Sequence, residues 1–337
     1  MTAQAAVRLE RGGISASVLA DEGGVLLDLH VHGRPVLAAT PWAGSVASLV
    51  AGSAQHAESA PAESEAAWVA RWRGGWQLCF PTAGQPNPAA AIPEGFHGAA
   101  SQAPWLEVAR TPDTVGLGWA DGHGLSAERV WRLTDDGAAV ATRVRNSGSE
   151  TRVLVIAEHL ILGGDVLAEP LEFDVPPGTV LRPLDYAGLP EGEPRAWPGE
   201  REDRWGVVDR GTPARVTGLT DVQPQRIGVR GSHVEAVIEW QGSALPHALL
   251  WEELGVSTEH PWNGQVVALG IEPTSTPHGA GTALDSSLVR LAPGGELEWS
   301  VSLGVRWAPS ASTASPVTPS PSTPSPASPS PATPEAS

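Results

Sequence analysis

LEWSVSLGVRW, residues Leu297–Trp307, alternates without a break. Leu297, Trp299, Val301, Leu303, Val305 and Trp307 occupy the odd positions, and Glu298, Ser300, Ser302, Gly304 and Arg306 the even ones. Successive side chains on a strand point to opposite faces, so this run predicts a half-buried strand with one dry and one wet face. Upstream, Leu125–Thr134 and Ala138–Asn146 repeat the pattern across Asp135-Asp136-Gly137, and Thr151–Leu162 follows Ser147-Gly148-Ser149. Gly and Asp tolerate the positive φ of short hairpin loops, which predicts an antiparallel meander. The third run, TRVLVIAEHLIL, is apolar on both parities apart from its ends and Glu158-His159, as in a central strand covered on both sides.

No long stretch shows a 3.6-residue apolar period, and 38 Gly with 32 Pro interrupt helices often. The expectation is an all-β protein, a large antiparallel β-sandwich formed by one domain over residues 1–307. The chain of 337 residues is 41% hydrophobic and 18% charged, enough apolar material for a large core. Its net charge of −17 argues against nucleic acid or an anionic membrane as partner. Cys79 is the lone cysteine, so one chain builds neither an intrachain disulfide nor a thiolate metal cluster. The start lacks an apolar signal core and no long apolar run follows, which predicts a soluble, cytoplasmic protein. Residues 308–337 are almost only Pro, Ser, Thr and Ala, with one charge at Glu335, and are expected to form a disordered tail. Ala43–Ala67 reads as a loop with one short helix, and Asp185–Asp209 as a long surface loop near a site. No pattern in the chain specifies an oligomeric state.

Four groups of residues carry chemistry. Asp28, His30 and His32 share one strand parity, which suits a metal, although the amphipathic helices of a metal-dependent barrel hydrolase are missing and histidines beside a hairpin explain them as well. The segment Arg71-Trp72-Arg73-Gly74-Gly75-Trp76-Gln77, followed by Phe96-His97-Gly98 and Pro104-Trp105, gathers indoles with Arg, Gln and His. Indole faces stack on the C–H side of a pyranose while the polar groups bind its hydroxyls, so this is the chemistry of a sugar site. Cys79 within it reads as a buried small residue rather than a nucleophile. His159 interrupts the central strand, and a buried imidazole is either a satisfied core group or a proton carrier. Glu272, directly before Pro273, reads as a carboxylate at a strand end bordering a cleft, and Trp251-Glu252-Glu253 with His260-Pro261-Trp262 closes another strand and loop.

In this order, GGWQLCFP, FHG followed by PW, AEHLILGG, WEELGVSTEHPW, LGIEPTSTP and the closing PGGELEWSVSLGV resemble the aldose 1-epimerase, or galactose mutarotase-like, superfamily over residues 20–307. The resemblance implies a supersandwich whose concave face holds a hexopyranose. It implies His159 as the acid that protonates the ring oxygen and Glu272 as the base at the anomeric hydroxyl. It further implies sugar contacts from His97, from Arg71 or Arg73, and from Glu253; the amide and indole chemistry of the segments above adds Gln77 and Trp262. No cofactor or metal is required, because opening and reclosing a hemiacetal needs only positioned proton transfer. EHLILGG replaces the Asn-rich segment of true galactose mutarotases, and Ala99 stands where many relatives of another branch are acidic, which marks a divergent branch. A carbohydrate-binding sandwich without turnover, or a hexose-6-phosphate epimerase using Arg71 and Arg73, are the alternatives.

Overall fold

The alternating run becomes the strand Glu296–Trp307, in which Trp299, Val301, Leu303 and Val305 are buried and the residues between them are not. The computed structural model describes residues 6–42, 61–86, 94–185, 188–197, 207–278 and 288–308. Among these, two large antiparallel sheets dominate. An eleven-stranded sheet runs in the order Val7–Arg11, Ile14–Leu19, Val25–Val31, Trp76–Cys79, Ala157–Leu162, Val267–Thr274, His247–Leu254, Arg215–Thr220, Val180–Leu184 and Arg195–Ala196, with Arg34–Pro35 beside the third strand. A nine-stranded sheet runs Val207–Val208, Leu171–Asp174, Arg226–Arg230, Val234–Gln241, Glu296–Trp307, Gly137–Asn146, Leu125–Leu133, Thr114–Ala120 and Leu106–Arg110. The two bury a shared core that includes Trp76, Phe80, Trp105 and Trp131. The result is the all-β sandwich that alternation predicts.

The meander is corrected. Leu125–Leu133 and Gly137–Asn146 form a hairpin, but the third run breaks at Val155-Ile156: Arg152–Leu154 pairs with Val289–Leu291, and Ala157–Leu162 crosses into the other sheet between Trp76–Cys79 and Val267–Thr274. Its six residues are all buried, which is why both parities are apolar. Glu272 is likewise not at a strand end, since Val267–Thr274 continues through Pro273 and pairs Glu272 with Leu249.

Glu158 and His159 separate the two faces of this central strand. Glu158 points between the sheets, where its carboxylate takes two hydrogen bonds from Arg129 at 2.8 and 2.9 Å, one from Trp76 Nε1 at 2.9 Å and one from Trp299 Nε1 at 2.7 Å. Arg129 and Glu158 are fully buried. A dry charge is tolerable only when paired and hydrogen-bonded on every side, and this one is. His159 emerges on the opposite face.

Residues up to Trp307 form one unit and the remainder another. The expected tail lies, from residue 309 onward, outside the described residues. The helix Pro61–Arg71 realises the short helix expected near Ala67, while residues 43–60 are not described. The stretch 185–209, expected as one long loop, also contains the short strands Arg195–Ala196 and Val207–Val208; its residues 186–187 and 198–206 are not described, and Gly188 borders the cavity described next.

Candidate active site

Strand register brings His159 and Glu272 together. His159 pairs with Gln77, and the pairs Ala157 with Thr274 and Ile161 with Gly270 bracket His159 opposite Glu272. Side chains directly opposite on neighbouring strands share a face. The outcome is a row of Gln77, His159, Glu272 and Leu249 across four strands, on the face turned away from the second sheet. His159 Nε2 and Glu272 Oε1 stand 3.9 Å apart and both side chains are buried. Gly270 makes room for the carboxyl, because a Cβ there would lie 2.7 Å from Glu272 Oε1 and 3.1 Å from Trp251 Cβ.

Above this row lies a cavity of about 140 Å³. The helix Pro61–Arg71 and the residue after it supply one wall through Glu65, Trp68, Val69 and Trp72, the i, i+3, i+4, i+7 stripe of a helical face. Trp68 and Trp72 meet the His159 ring edge-on at 5.6 and 5.8 Å. Trp251 and Trp262 complete an aromatic rim with Trp72.

His97 comes from the segment that leads from the strand Trp76–Cys79 to the second sheet. Its Nδ1 accepts the Gly84 N–H at 2.9 Å and its own N–H donates to the Gly84 carbonyl at 3.0 Å. Nδ1 is therefore the unprotonated nitrogen and Nε2 carries the hydrogen. The loop is pinned by Phe96 N–H to Ser64 Oγ at 2.8 Å and Ala99 N–H to Glu94 Oε2 at 2.9 Å. His97 sits at φ 59° and Gly98 at φ 72°, and a Cβ on Gly98 would strike the Phe80 carbonyl at 2.3 Å, so the turn after His97 requires glycine.

Burial sets the proton inventory. It pushes the Glu272 carboxyl up to about 8 and the His159 imidazole down to about 3. His97 is held well below its ordinary value by burial first and by His159 second. The resting couple is thus a protonated carboxyl facing a neutral imidazole. Three buried polar atoms on residues that line the cavity have no partner: His159 Nδ1, Trp72 Nε1 and Gln85 Oε1. Such atoms are uncommon in a finished core and mark a place where a polar ligand restores lost hydrogen bonds.

Of the residues singled out in the sequence, His97, His159, Trp262 and Glu272 border the cavity, together with Trp72, Phe96 and Trp251. Gln77 flanks His159 without reaching it. Arg73 is held by Glu22 at 3.1 Å, and Arg71, at the helix end, also does not line the cavity. Glu253 is turned into the following loop, where Oε1 accepts the N–H of Val256 at 2.9 Å and of Ser257 at 3.1 Å and Oε2 meets the Ser257 hydroxyl. It shapes the loop that leads to Trp262. Arg71, Arg73, Gln77 and Glu253 are therefore not wall residues of this cavity. Glu65, Trp68 and Gln85 are, and the sequence reading missed them; the 65, 68, 69, 72 spacing was the available signal, obscured because the stripe opens with a carboxylate.

Asp28 and His30 lie on the strand Val25–Val31, with His30 Nδ1 3.9 Å from Asp28 Oδ1 and both side chains 40% exposed. His32 falls in the turn at φ 53°, off the shared parity. Among the described residues no cluster of three or more His, Cys, Asp or Glu is placed to hold a metal. Cys79 is wholly buried beside Ala83, Val155 and Ala157, and burial pushes its thiol up. Among the described residues no helix is long and apolar enough to cross a membrane.

No family model matches the chain, and no curated protein does. Solved structures do. A protein from Synechocystis sp. PCC 6803 is 16% identical with a TM-score of 0.66, over 90% of this chain and 96% of that one. A protein from Escherichia coli K12, named as a candidate aldose 1-epimerase, is 15% identical with a TM-score of 0.66, over 90% and 99%. A galactose mutarotase-like protein from Clostridium acetobutylicum is 15% identical with a TM-score of 0.64, over 90% and 95%. The chain has the galactose mutarotase-like fold, at sequence distances that mark it as divergent.

Proposed function

We propose that the protein is an aldose 1-epimerase-like enzyme that interconverts the anomers of a free sugar, with His159 and Glu272 as its proton-transfer couple. The observation that carries this reading is the pair of tips, Nε2 and Oε1, 3.9 Å apart beneath an aromatic cavity. The two oxygens that must exchange protons, the anomeric hydroxyl and the ring oxygen, are bonded to the same carbon. A couple at this spacing reaches one of them with each member at hydrogen-bond length.

One proton suffices. The couple holds it on one member while the other is free to accept, so ring opening delivers a proton to the ring oxygen and removes one from the anomeric hydroxyl. The C1–O5 bond breaks, an aldehyde forms at C1, and the couple ends with its proton on the opposite member. Rotation about C1–C2 presents the other face of the aldehyde, and the reverse transfers close the ring as the second anomer. The family resemblance assigns the first donation to His159. The opposite burial shifts favour Glu272 as first donor and His159 as first acceptor. His97 Nε2–H and the indoles of Trp68, Trp72 and Trp262 supply a hydroxyl contact and stacking surfaces.

Anomer exchange of several aldoses, followed by NMR for the wild type and Glu272→Gln, tests this. The wild type accelerates exchange, and the variant loses about 10²- to 10⁴-fold of that acceleration. A wild type that binds sugars without accelerating exchange is a carbohydrate-binding sandwich instead.

A further inference from the structure

About one helical turn from the indole that meets His159, the helix contributes a carboxylate to the cavity wall. Glu65 lies three residues before Trp68, about 5 Å along the helix axis from the indole that touches His159. Gln85 Nε2 donates to Glu65 Oε2 at 2.6 Å, and both residues line the cavity. That bond fixes the amide so that Gln85 Oε1, buried and without a partner, is a second acceptor beside the carboxylate. Ser64, next in the chain, is locked by the Phe96 N–H, so the first turns of the helix are tied to the loop that carries His97.

We propose that Glu65, oriented by Gln85, is a specificity-determining residue that reads the hydroxyls of the sugar on the side of the ring remote from the anomeric carbon. This deepens the proposed function and rests on it for the placement of C1. Two fixed acceptors side by side match the two O–H donors of a vicinal diol, and carboxylate acceptors make the stronger hydrogen bonds. Inverting one hydroxyl moves its donor off one acceptor, so the pair discriminates between epimers, as sites built to hydrogen-bond a hydroxyl do. His97 Nε2–H is a donor on the same wall and reads a hydroxyl through its lone pairs, so the cavity offers both senses of hydrogen bond.

The test titrates D-glucose, D-galactose, D-mannose, D-xylose and 2-deoxy-D-glucose against wild type, Glu65→Gln and Gln85→Met. Tryptophan fluorescence reports binding and NMR anomer exchange reports turnover. In Glu65→Gln the best-bound sugar weakens about 10- to 100-fold. The spread of affinities among epimers narrows, and kcat/KM falls in step with affinity for the best-bound sugar and less for the others. Gln85→Met shows the same loss of discrimination in a smaller measure and serves alone should Glu65→Gln not fold. Unchanged affinities and ranking in folded variants overturn the assignment while leaving the epimerase reading intact. Selective binding that depends on Glu65 without any turnover does the reverse. A wild type that binds none of the sugars overturns both.

Discussion

At Glu272 and His159 burial acts with opposite signs, because it penalises whichever form is charged. The carboxyl, raised from 4.5 to about 8, binds more protons folded than unfolded in that interval. Its stabilising contribution is complete below 4.5 and is lost as pH rises through 8. His159, lowered from 6.5 to about 3, and His97, lowered in the same sense, are neutral when folded and cost stability as pH falls below 6.5. Taken by themselves, these three groups favour the folded state most near pH 6.5. Urea unfolding from pH 5 to 9 should therefore show wild type losing stability above neutrality with a slope approaching ~1.4 kcal/mol per pH unit relative to Glu272→Gln. Parallel curves for the two proteins would refute a buried protonated Glu272. On the same grounds kcat/KM should hold a plateau through the acidic and neutral range and decline near pH 8. Gly270 offers a geometric check. Gly270→Ala pushes a methyl to 2.7 Å from Glu272 Oε1, so anomer exchange should drop at least about tenfold through kcat while sugar binding persists. Equal kcat in folded Gly270→Ala would show that the carboxyl position is not critical.

Between the sheets, the elements are held by a polar clamp as well as by apolar packing. Arg129→Met leaves the Glu158 carboxylate dry and unpaired, and breaking such a pair costs about 3–5 kcal/mol. Guanidinium denaturation should register that loss, and a cost under 1 kcal/mol would mean that water reaches Glu158. The strands themselves were legible because alternation is a local property, seen in Glu296–Trp307 and in the unbroken apolarity of Ala157–Leu162. Their partners were not, since nothing in the turn Ser147-Gly148-Ser149 announces that the chain leaves one sheet for the other. Arg129 was visible in principle, as the one charge on the apolar parity of Leu125–Leu133, but its partner lies 29 residues away on another sheet. Among the site residues, His159 and Glu272 stood out because each interrupts an apolar strand. Glu65 and Trp68 did not, because their helix displays no clean apolar stripe. Arg71, Arg73 and Glu253 were placed by composition, and composition does not reveal that Glu22 or a following loop captures such groups first.

At the scale of the molecule, the last described strand ties the end of the fold to its beginning. Trp307 Nε1 donates to the Val31 carbonyl at 3.1 Å, and the Arg34 guanidinium lies 4.1 Å from the centre of its ring. Trp307→Ala should therefore lower stability by about 1–2 kcal/mol, whereas a chain ending at Ala308 should keep the wild-type melting temperature. Scanning calorimetry of both proteins settles it, and a destabilised Ala308 truncation would assign the remaining residues a part in the fold. Glu296–Trp307 also sits in the middle of its sheet, between Val234–Gln241 and Gly137–Asn146. While the polypeptide emerges from the ribosome, the strands on either side of that gap have no common neighbour, and both present open edges. The wedge that joins them is the last of the described strands in chain order, so their union in this sheet waits until Trp307 has been translated.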